Sequence, residues 1–266
     1  MSATVFAIVN QKGGVAKTTT TKNLGIGLAR AGYKVLLVDF DPQANLTQSL
    51  DLDPTNLEEI EVSISTLMQK ILDDEEIRPG EGIIHQAEGI DLIASDDDLA
   101  EMEARLINVM ARERVLKRIL DEQKDLYDYI LIDCQPSLTI LPVNALVAAD
   151  QVIIPVKPAY LSVKGLEHLL TTIIKVKRQI NPSLGINGIL LTMCDLRTNN
   201  AKDMVDVIRS VYGKNVHIYK SFIPVSVREE ETPAEGRSIY LHDPASMVAL
   251  AYEAFTREII DSTKGR

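Results

Sequence analysis

Residues 10–20 read Asn10-Gln11-Lys12-Gly13-Gly14-Val15-Ala16-Lys17-Thr18-Thr19-Thr20, and they carry the strongest indication of the fold class. An apolar, β-branched run at residues 4–9 precedes it, and a helical pattern at residues 18–31 follows it. A glycine-rich loop between a strand and a helix brings unshielded backbone N–H groups and the positive end of the helix dipole to one place. The pattern therefore predicts a phosphate-binding loop at the carboxyl end of a first β-strand.

The residue types in this loop each suit one part of a nucleotide phosphate chain. Gly13 and Gly14 let backbone N–H groups approach phosphate oxygens without obstruction by a Cβ atom. Lys17 is predicted to reach the β- and γ-phosphates, because a lysine at the start of the helix points back over the loop. Thr18 is predicted to offer its hydroxyl to Mg²⁺, and Thr19 to bind the α-phosphate.

The loop departs from the general pattern GxxxxGK[ST], which requires glycine where this chain has Gln11 and Ala16. Val15 and Ala16 still belong to the predicted nucleotide-binding stretch, since they lead from the glycines into the helix. An alanine at position 16 predicts a negative φ there, because L-residues rarely adopt the left-handed region. The alternative interpretation is a glycine turn with an incidental lysine, and the flanking strand and helix argue against it.

Three aspartates end two further apolar runs. Asp39 and Asp41 follow the run at residues 34–38, and Asp133 follows the run at residues 129–132. Ligands of parallel α/β sheets bind at the carboxyl ends of the strands, so these carboxylates are expected beside the phosphate loop. Carboxylate oxygens suit Mg²⁺, which takes one or two of them together with phosphate oxygens. A single strand-end aspartate is more commonly a helix cap or a turn residue, but three of them after this loop favour a metal–phosphate site.

Strand-length apolar runs alternate with longer helical patterns along the rest of the chain. Continuous apolar strands indicate a sheet that is covered on both faces. We therefore predict an α/β fold with a doubly wound, mostly parallel sheet and helices on both faces. No linker rich in Pro, Gly and Ser divides the chain, so residues 1–266 are predicted to form a single domain. One long amphipathic helix is predicted at residues 99–124.

The charge of the chain is unevenly distributed. The 266 residues carry a formal net charge of −10, which by itself argues against a nucleic-acid partner. Residues 51–103, however, hold 17 acidic and 2 basic residues, a local charge of −15, so that the remainder carries +5. We predict that residues 51–103 form an acidic surface excursion, most simply a solvated face. The total charge therefore does not exclude a polyanionic partner.

Other classes of protein are easier to exclude. Cys134 and Cys194 are the only cysteines and lie far apart, so the sequence offers neither a disulfide framework nor a CxxC metal site. It contains no run of about 18 apolar residues, the length that a transmembrane helix needs. The N-terminal residues lack a basic region and indicate a first strand rather than a signal peptide. A reducing, cytoplasmic location is expected.

The segment that begins at Lys12 resembles the KGGxxK[ST] loop of the deviant P-loop ATPases, the ParA/MinD family, and among them the ParA/Soj-type partition ATPases. This resemblance implies a P-loop NTPase fold with ATP and Mg²⁺ as cofactors. It implies that Lys12 reaches the partner's ATP across a nucleotide-sandwich homodimer, with Lys17 in the same catalytic set. The residue matching Asp41 orients the attacking water, and those matching Asp39 and Asp133 serve the Mg²⁺ shell. The expected activity is ATP hydrolysis that is weak alone and stimulated by a partner.

The resemblance extends over nearly the whole chain. Residues 191–198 and 222–233 are similar to late segments of ParA proteins, in which the positions matching Met193 and Pro224 line the adenine. The arginines matching Arg197 and Arg228 contact DNA without sequence preference in the ATP-bound dimer. The implied partners are non-specific DNA and a ParB-type centromere-binding protein, with a nucleoid-associated location. Either arginine is also compatible with a plain surface charge or a local salt bridge.

Two relatives of the same fold remain as alternatives. A MinD-like positioning ATPase ends in a basic amphipathic membrane helix, whereas residues 252–266 are acidic until the last few positions, so no membrane partner is expected. ATP-dependent biosynthetic enzymes act on small metabolites, and no dedicated substrate constellation is evident in the sequence. We therefore favour an ATPase that partitions plasmid or chromosomal DNA.

Overall fold

The computed structural model describes residues 2–56, 60–226 and 236–264, and for residues 161–164 it describes the backbone alone. The described strands form one eight-stranded sheet. In chain order they are β1 (Thr4–Ile8), β2 (Val35–Phe40), β3 (Ile84–His85), β4 (Asp91–Ile93), β5 (Tyr129–Cys134), β6 (Gln151–Val156), β7 (Gly185–Cys194) and β8 (Ile218–Pro224).

The spatial order of the strands is β3-β4-β2-β5-β1-β6-β7-β8. β3 pairs antiparallel with β4, and every other neighbouring pair is parallel. The predicted mostly parallel α/β sheet is thereby confirmed. Since parallel strands end at the same edge, the carboxyl ends of β2, β5 and β1 lie side by side, with those of β7 and β8 further along.

Helices cover both faces of the sheet, as predicted. Successive strand residues point to opposite faces, so Val5 and Ala7 belong to one apolar core and Phe6 and Ile8 to the other. The first core is closed by α3 (Ile64–Leu72), α4 (Asp98–Leu106), α5 (Val115–Asp121), α6 (Ile140–Ala148), α7 (Tyr160–Gln179) and α8 (Asn199–Tyr212). The second core is closed by α1 (Lys17–Arg30), α2 (Asn45–Gln48), α9 (Ile239–His242) and α10 (Met247–Thr263).

Helix α1 lies unusually close to the sheet. A Cβ atom on Gly25 would stand 2.5 Å from Cδ2 of Leu37 in β2, so a larger residue would force the Leu37 side chain to shift. The close packing fixes the start of α1 relative to the ends of β1 and β2. The phosphate loop is therefore held on a rigid support.

The single helix predicted at residues 99–124 is wrong, because the chain breaks after Leu106. Ala111 adopts a left-handed φ of 55°, which a continuous α-helix cannot contain. Asn144 in α6 stabilises the break: its Oδ1 accepts from the backbone N–H of Leu116 over 3.2 Å, and its Nδ2 donates to the carbonyl of Arg112 over 2.8 Å. The apolar periodicity continues on both sides of the break, which is why it indicated one helix.

The prediction that residues 51–103 form a surface excursion also needs correction. This segment contributes β3 and β4 to the main sheet, and β4 pairs with β2 from Leu36↔Asp91 to Val38↔Ile93. Its apolar residues Leu67 and Met68 are fully buried in the core. These strands are hard to identify in the sequence, because a two-residue and a three-residue strand carry almost no periodic signal.

Candidate active site

A cleft of about 620 Å³ opens at the carboxyl ends of the strands. The predicted phosphate loop forms one wall, with Gly13, Gly14, Ala16, Lys17, Thr18 and Thr19 in the lining. The segment from Ile223 to Ser226, at the end of β8, forms the opposite wall together with Met193. The structure thus brings the early and the late predicted motifs to one concave site.

The loop backbone is arranged to bind an anion. Gly14 and Ala16 both adopt left-handed conformations, with φ of 66° and 63°. Helix α1 then begins at Lys17 without a side-chain N-cap and without an acidic residue in its first turn. Its first N–H groups therefore face the cleft side of the loop with no capping side chain, at the positive end of the dipole.

The negative φ predicted for Ala16 is wrong. The chain must turn at this residue to start α1, and the left-handed conformation costs an alanine about 1 kcal/mol that a glycine would not lose. Val15, immediately before it, is buried, and its carbonyl accepts a hydrogen bond from Thr192 Oγ1 over 2.9 Å. Val15 therefore holds the loop to β7 and does not line the cleft with the other loop residues.

Lys17 is a buried cation at the bottom of the cleft, only 7% exposed. Its Nζ donates to the carbonyl of Lys12 over 3.4 Å. Burial lowers the pKa of Lys17, while the neighbouring acidic groups of Asp133, Cys134 and Asp41 act in the opposite direction. An anion bound in the cleft would offset the cost of burying this ammonium group.

Asp39 and Asp133 face each other across two neighbouring strands, since they are register partners in β2 and β5. Both are buried, and burial raises the pKa of Asp133 to about 8 and that of Asp39 to about 7. Thr18 Oγ1 donates to Asp133 Oδ2 over 2.6 Å. A hydroxyl and a carboxylate this close supply hard oxygen donors beside the phosphate loop, which fits Mg²⁺.

The described residues include no group of three or more His, Cys, Asp and Glu that could hold a metal by themselves. A Mg²⁺ ion at Thr18 and Asp133 would therefore fill its shell with phosphate oxygens and water, as this ion commonly does. Mg²⁺ prefers oxygen donors, and the predicted metal residues Thr18, Asp39 and Asp133 all supply them.

Asp41 lines the cleft and is 5% exposed. Its Oδ1 accepts from the backbone N–H of Gln43 over 3.0 Å, and its own carbonyl accepts from Ser95 Oγ over 2.9 Å. The carboxylate is thereby held in the cleft that the phosphate loop also lines. This position suits a group that would orient a water molecule toward a terminal phosphate.

Lys12 is half-buried at the start of the loop. Its backbone N–H donates to Asn10 Oδ1 over 2.9 Å, and Asn10 Nδ2 donates to the carbonyl of Pro155 in β6 over 2.7 Å. The backbone of the loop is thus tied to β6 just before the glycines. Lys12 does not belong to the lining of the cleft with Lys17, so the two lysines differ in placement.

Met193 and Pro224 both lie in the cleft wall, at the ends of β7 and β8. Sequence reasoning missed the residues between them and the loop, namely Lys22, Asn45, Gln48, Ser49 and Tyr252. The spacing of Lys22 from Thr18, one helical turn, is a signal that could have identified it. Its buried Nζ donates to the carbonyls of Ser49 and Arg237 over 3.3 and 2.9 Å. Tyr252 lies in the last helix and gave no local signal.

Arg197 lies away from the cleft lining, with a side chain 88% exposed. Its Nε and one terminal nitrogen donate to the two carboxylate oxygens of Asp195 over 2.7 and 3.0 Å. The local salt bridge considered for this residue is therefore present. Arg228 lies outside the described residues.

The fold and the loop define a P-loop NTPase, and comparison with known proteins narrows the class. A family model described as an AAA domain matches residues 3–186. The sporulation initiation inhibitor protein Soj of Bacillus subtilis is 41% identical over 257 residues, 96% of this chain and 97% of Soj. The chromosome partitioning protein ParA of Myxococcus xanthus is 39% identical, over 96% of this chain and 87% of ParA. The chain belongs to the family of ParA/Soj-type P-loop ATPases.

Solved structures agree with the α/β fold of a P-loop NTPase. The cobyrinic acid a,c-diamide synthase of Mycobacterium smegmatis, solved with ADP and magnesium, has a TM-score of 0.84 and 34% identity, over 99% of this chain and 97% of the synthase. The septum site-determining protein MinD of Pyrococcus horikoshii, solved with Mg-ADP, has a TM-score of 0.74 at 23% identity, over 97% of this chain and 96% of MinD. The second likeness concerns the fold alone.

Proposed function

We propose that the protein is a Mg²⁺-dependent ATPase that partitions plasmid or chromosomal DNA. The observation that carries this proposal is the composition of the cleft. An uncapped helix N-terminus, a buried Lys17, the Thr18–Asp133 pair and Asp41 meet there, in a chain similar over nearly its full length to Soj and ParA. Relatives of the fold solved with ADP or an ATP analogue and magnesium support these cofactors.

The reaction is the attack of water on the γ-phosphorus of ATP, which breaks the bond to the β,γ-bridging oxygen and releases ADP and inorganic phosphate. Backbone N–H groups of the loop and of the α1 start bind the phosphate chain, and Lys17 stabilises the negative charge that develops on it. Thr18, Asp133 and Asp39 would hold Mg²⁺ or its water ligands. When bound, this ion would neutralise part of the negative charge on the phosphates. Asp41 orients the attacking water and accepts its hydrogen bond.

Lys12 acts in trans within an ATP-sandwich homodimer. Its location outside the lining of its own cleft is consistent with a group that serves the partner subunit's nucleotide. A second lysine at the γ-phosphate would add electrostatic stabilisation only when two ATP-loaded copies meet. Hydrolysis then ends the dimer state, and this makes ATP a switch for whatever the dimer binds.

The dimer binds DNA without sequence preference, through Arg197 and Arg228, and a ParB-type protein stimulates its otherwise weak hydrolysis. Phosphate contacts need only local clusters of basic residues, so the total charge of −10 is no obstacle. The +5 charge outside residues 51–103 supports this, because two copies would bring two such surfaces together. The protein is then cytoplasmic and nucleoid-associated.

DNA binding under three nucleotide conditions tests this function. Anisotropy of a labelled duplex of arbitrary sequence is measured with Mg²⁺-ATP, with Mg²⁺-ADP and without nucleotide. Binding that requires ATP and weakens with salt is expected. Absence of binding under all three conditions would contradict the DNA-partition role. The Asp41→Ala variant is the matched control, since it should keep the ATP-bound dimer and its DNA binding for longer.

The likeness to the solved synthase favours a second candidate, an ATP-dependent biosynthetic enzyme. Such an enzyme would turn over ATP in response to a small acceptor molecule and would ignore DNA. A third candidate is a MinD-like positioning ATPase, which would bind anionic lipid vesicles. No helix in the described part of the chain has the length and hydropathy of a bilayer span. Adding vesicles to the same binding experiment separates this candidate from the first.

A further inference from the structure

A hydrogen-bond network links the two aspartates at the carboxyl end of β2, Asp39 and Asp41, to Thr47 in α2. The backbone N–H and the Oγ1 of Thr47 each donate to Asp39 Oδ2 over 2.8 Å. The backbone N–H of Asp41 donates to Asp39 Oδ1 over 3.3 Å. Asp39 therefore accepts three hydrogen bonds from the loop that follows it, and these bonds close the loop from Asp41 to Thr47.

Ser95, just after β4, completes the network from the neighbouring strand. Its backbone N–H donates to Thr47 Oγ1 over 3.0 Å, and its Oγ donates to the carbonyl of Asp41 over 2.9 Å. The Thr47 hydroxyl thus donates to Asp39 and accepts from Ser95 at the same time. Both Thr47 and Ser95 are fully buried, so no solvent replaces these bonds if they are removed.

The end of β4 is itself held in place. Asp96, next to Ser95, accepts hydrogen bonds at Oδ2 from Ser63 Oγ over 2.5 Å and from Ser65 Oγ over 2.6 Å. Ser63 is the N-cap of α3, where its side chain accepts from the backbone N–H of Thr66. The network that reaches Asp41 is therefore anchored on a strand and a helix and not on a mobile loop alone.

We propose that Thr47 and Ser95 are positioning residues for ATP hydrolysis, which hold Asp41 at the place from which it orients the attacking water. This inference rests on the proposed ATPase function. Neither residue lines the cleft, so neither touches the nucleotide, and both act through Asp41 and Asp39. A displacement of about 1 Å at a catalytic group can cost about 100-fold in rate, so loss of these bonds should reduce turnover without removing the phosphate site.

The decisive variant is Thr47→Val, which removes the hydroxyl but keeps the side-chain volume and the backbone N–H. We expect kcat to fall by about 10- to 100-fold, while affinity for a fluorescent ATP analogue changes by less than about threefold. Thr47→Ser keeps the hydroxyl and should restore turnover. Thr256→Val is the matched control, because Thr256 is also a buried threonine but donates only to the Tyr252 carbonyl in α10. Normal kcat in Thr47→Val would overturn the inference.

A double-mutant cycle separates positioning from general stability. If Thr47 acts through Asp41, Thr47→Val should have no further effect on single-turnover hydrolysis in the Asp41→Ala background. Independent, multiplicative losses would overturn the inference. Ser95→Ala provides a second route should Thr47→Val fold poorly. It removes only the bond to the Asp41 carbonyl and keeps the backbone N–H, so a smaller loss of kcat at unchanged ATP affinity is expected, and no loss would contradict the role.

Failure of this inference differs from failure of the proposed function. A wild-type protein that binds ATP but hydrolyses none, with DNA or without it, would contradict the ATPase function itself. Wild-type hydrolysis that depends on Asp41 but is indifferent to Thr47 and Ser95 would contradict only the positioning role.

Discussion

The ends of β1, β2 and β5 and the ends of β7 and β8 line the same cleft, but they are built differently. In the first region functional side chains such as Lys17 and Asp133 are buried, and Asp133 accepts a hydrogen bond from Thr18, 115 positions away in the chain. In the second region Val225 is 48% exposed, and Arg197 is paired only with its near neighbour Asp195. Chemistry requires groups that are fixed before the substrate arrives, whereas recognition of a base or of DNA tolerates exposed residues.

The largest effect is expected in the buried region. Asp133→Asn keeps the shape of the side chain but removes the charge that would attract Mg²⁺, so ATP hydrolysis should fall by about 1000-fold or more. Hydrolysis measured across a Mg²⁺ titration tests this. A variant that turns over ATP normally at low Mg²⁺ would exclude Asp133 from the metal site.

The same variant has a control in the nucleotide-free protein. Because the folded-state pKa of Asp133 is raised to about 8 from 3.8, its protonated form favours folding, and this stabilisation is lost as pH rises toward 8. Asparagine does not titrate, so denaturant unfolding of Asp133→Asn should depend less on pH between 6 and 8 than that of the wild type. An equal pH dependence of the unfolding free energy in the two proteins would contradict the raised pKa of Asp133.

Lys12→Ala tests whether Lys12 acts on the nucleotide of the partner subunit. Since Lys12 is not in the lining of its own cleft, the variant should still bind ATP but lose about 100-fold or more in hydrolysis. Mixing it with a hydrolysis-defective Asp41→Ala protein provides the control. In mixed dimers the Asp41→Ala subunit supplies Lys12 to the site that keeps Asp41, so partial activity is expected. Normal turnover of Lys12→Ala alone would refute the trans role.

Smaller effects are expected from changes to the residues that follow β7 and β8. Arg197→Glu should weaken DNA binding by about tenfold and reduce its salt dependence, with ATP binding unchanged. Asp195→Asn is the matched variant, because it releases Arg197 from its bidentate partner and should strengthen DNA binding. Arg228→Glu is expected to resemble Arg197→Glu. DNA affinity that is indifferent to all three changes would remove these arginines from the DNA-binding surface.

The smallest effect concerns backbone strain in the loop. Ala16→Gly places the residue that favours a φ of 63° at that position, so the free energy of unfolding should rise by about 1 kcal/mol or slightly less. Thermal or denaturant unfolding without nucleotide measures it. The matched comparison is Ala145→Gly, in the interior of α6, which should lower stability. A loss of stability in Ala16→Gly would show that the left-handed alanine is not strained.

Much of the site could be predicted because its determinants are contiguous or lie at strand ends. The loop at residues 10–20 carries its own turn, dipole and cation, and the parallel sheet forces Asp39 and Asp133 to the same edge. The conformation of Ala16 could not be predicted from residue type, because the start of α1 overrides the local preference of alanine. The broken helix after Leu106 likewise depends on Asn144 in another helix.

The amino-acid sequence alone was enough to predict the α/β class, the phosphate loop and the lysines and aspartates around it. The assembled fold was needed to show that β3 and β4 extend the main sheet, that Gln48 and Tyr252 line the cleft, and that Ser95 donates to Thr47. These features differ in how far apart along the chain the residues that form them lie. A loop between a strand and a helix is specified by neighbouring residues, whereas a hydrogen bond between groups 48 positions apart forms only once the sheet has assembled.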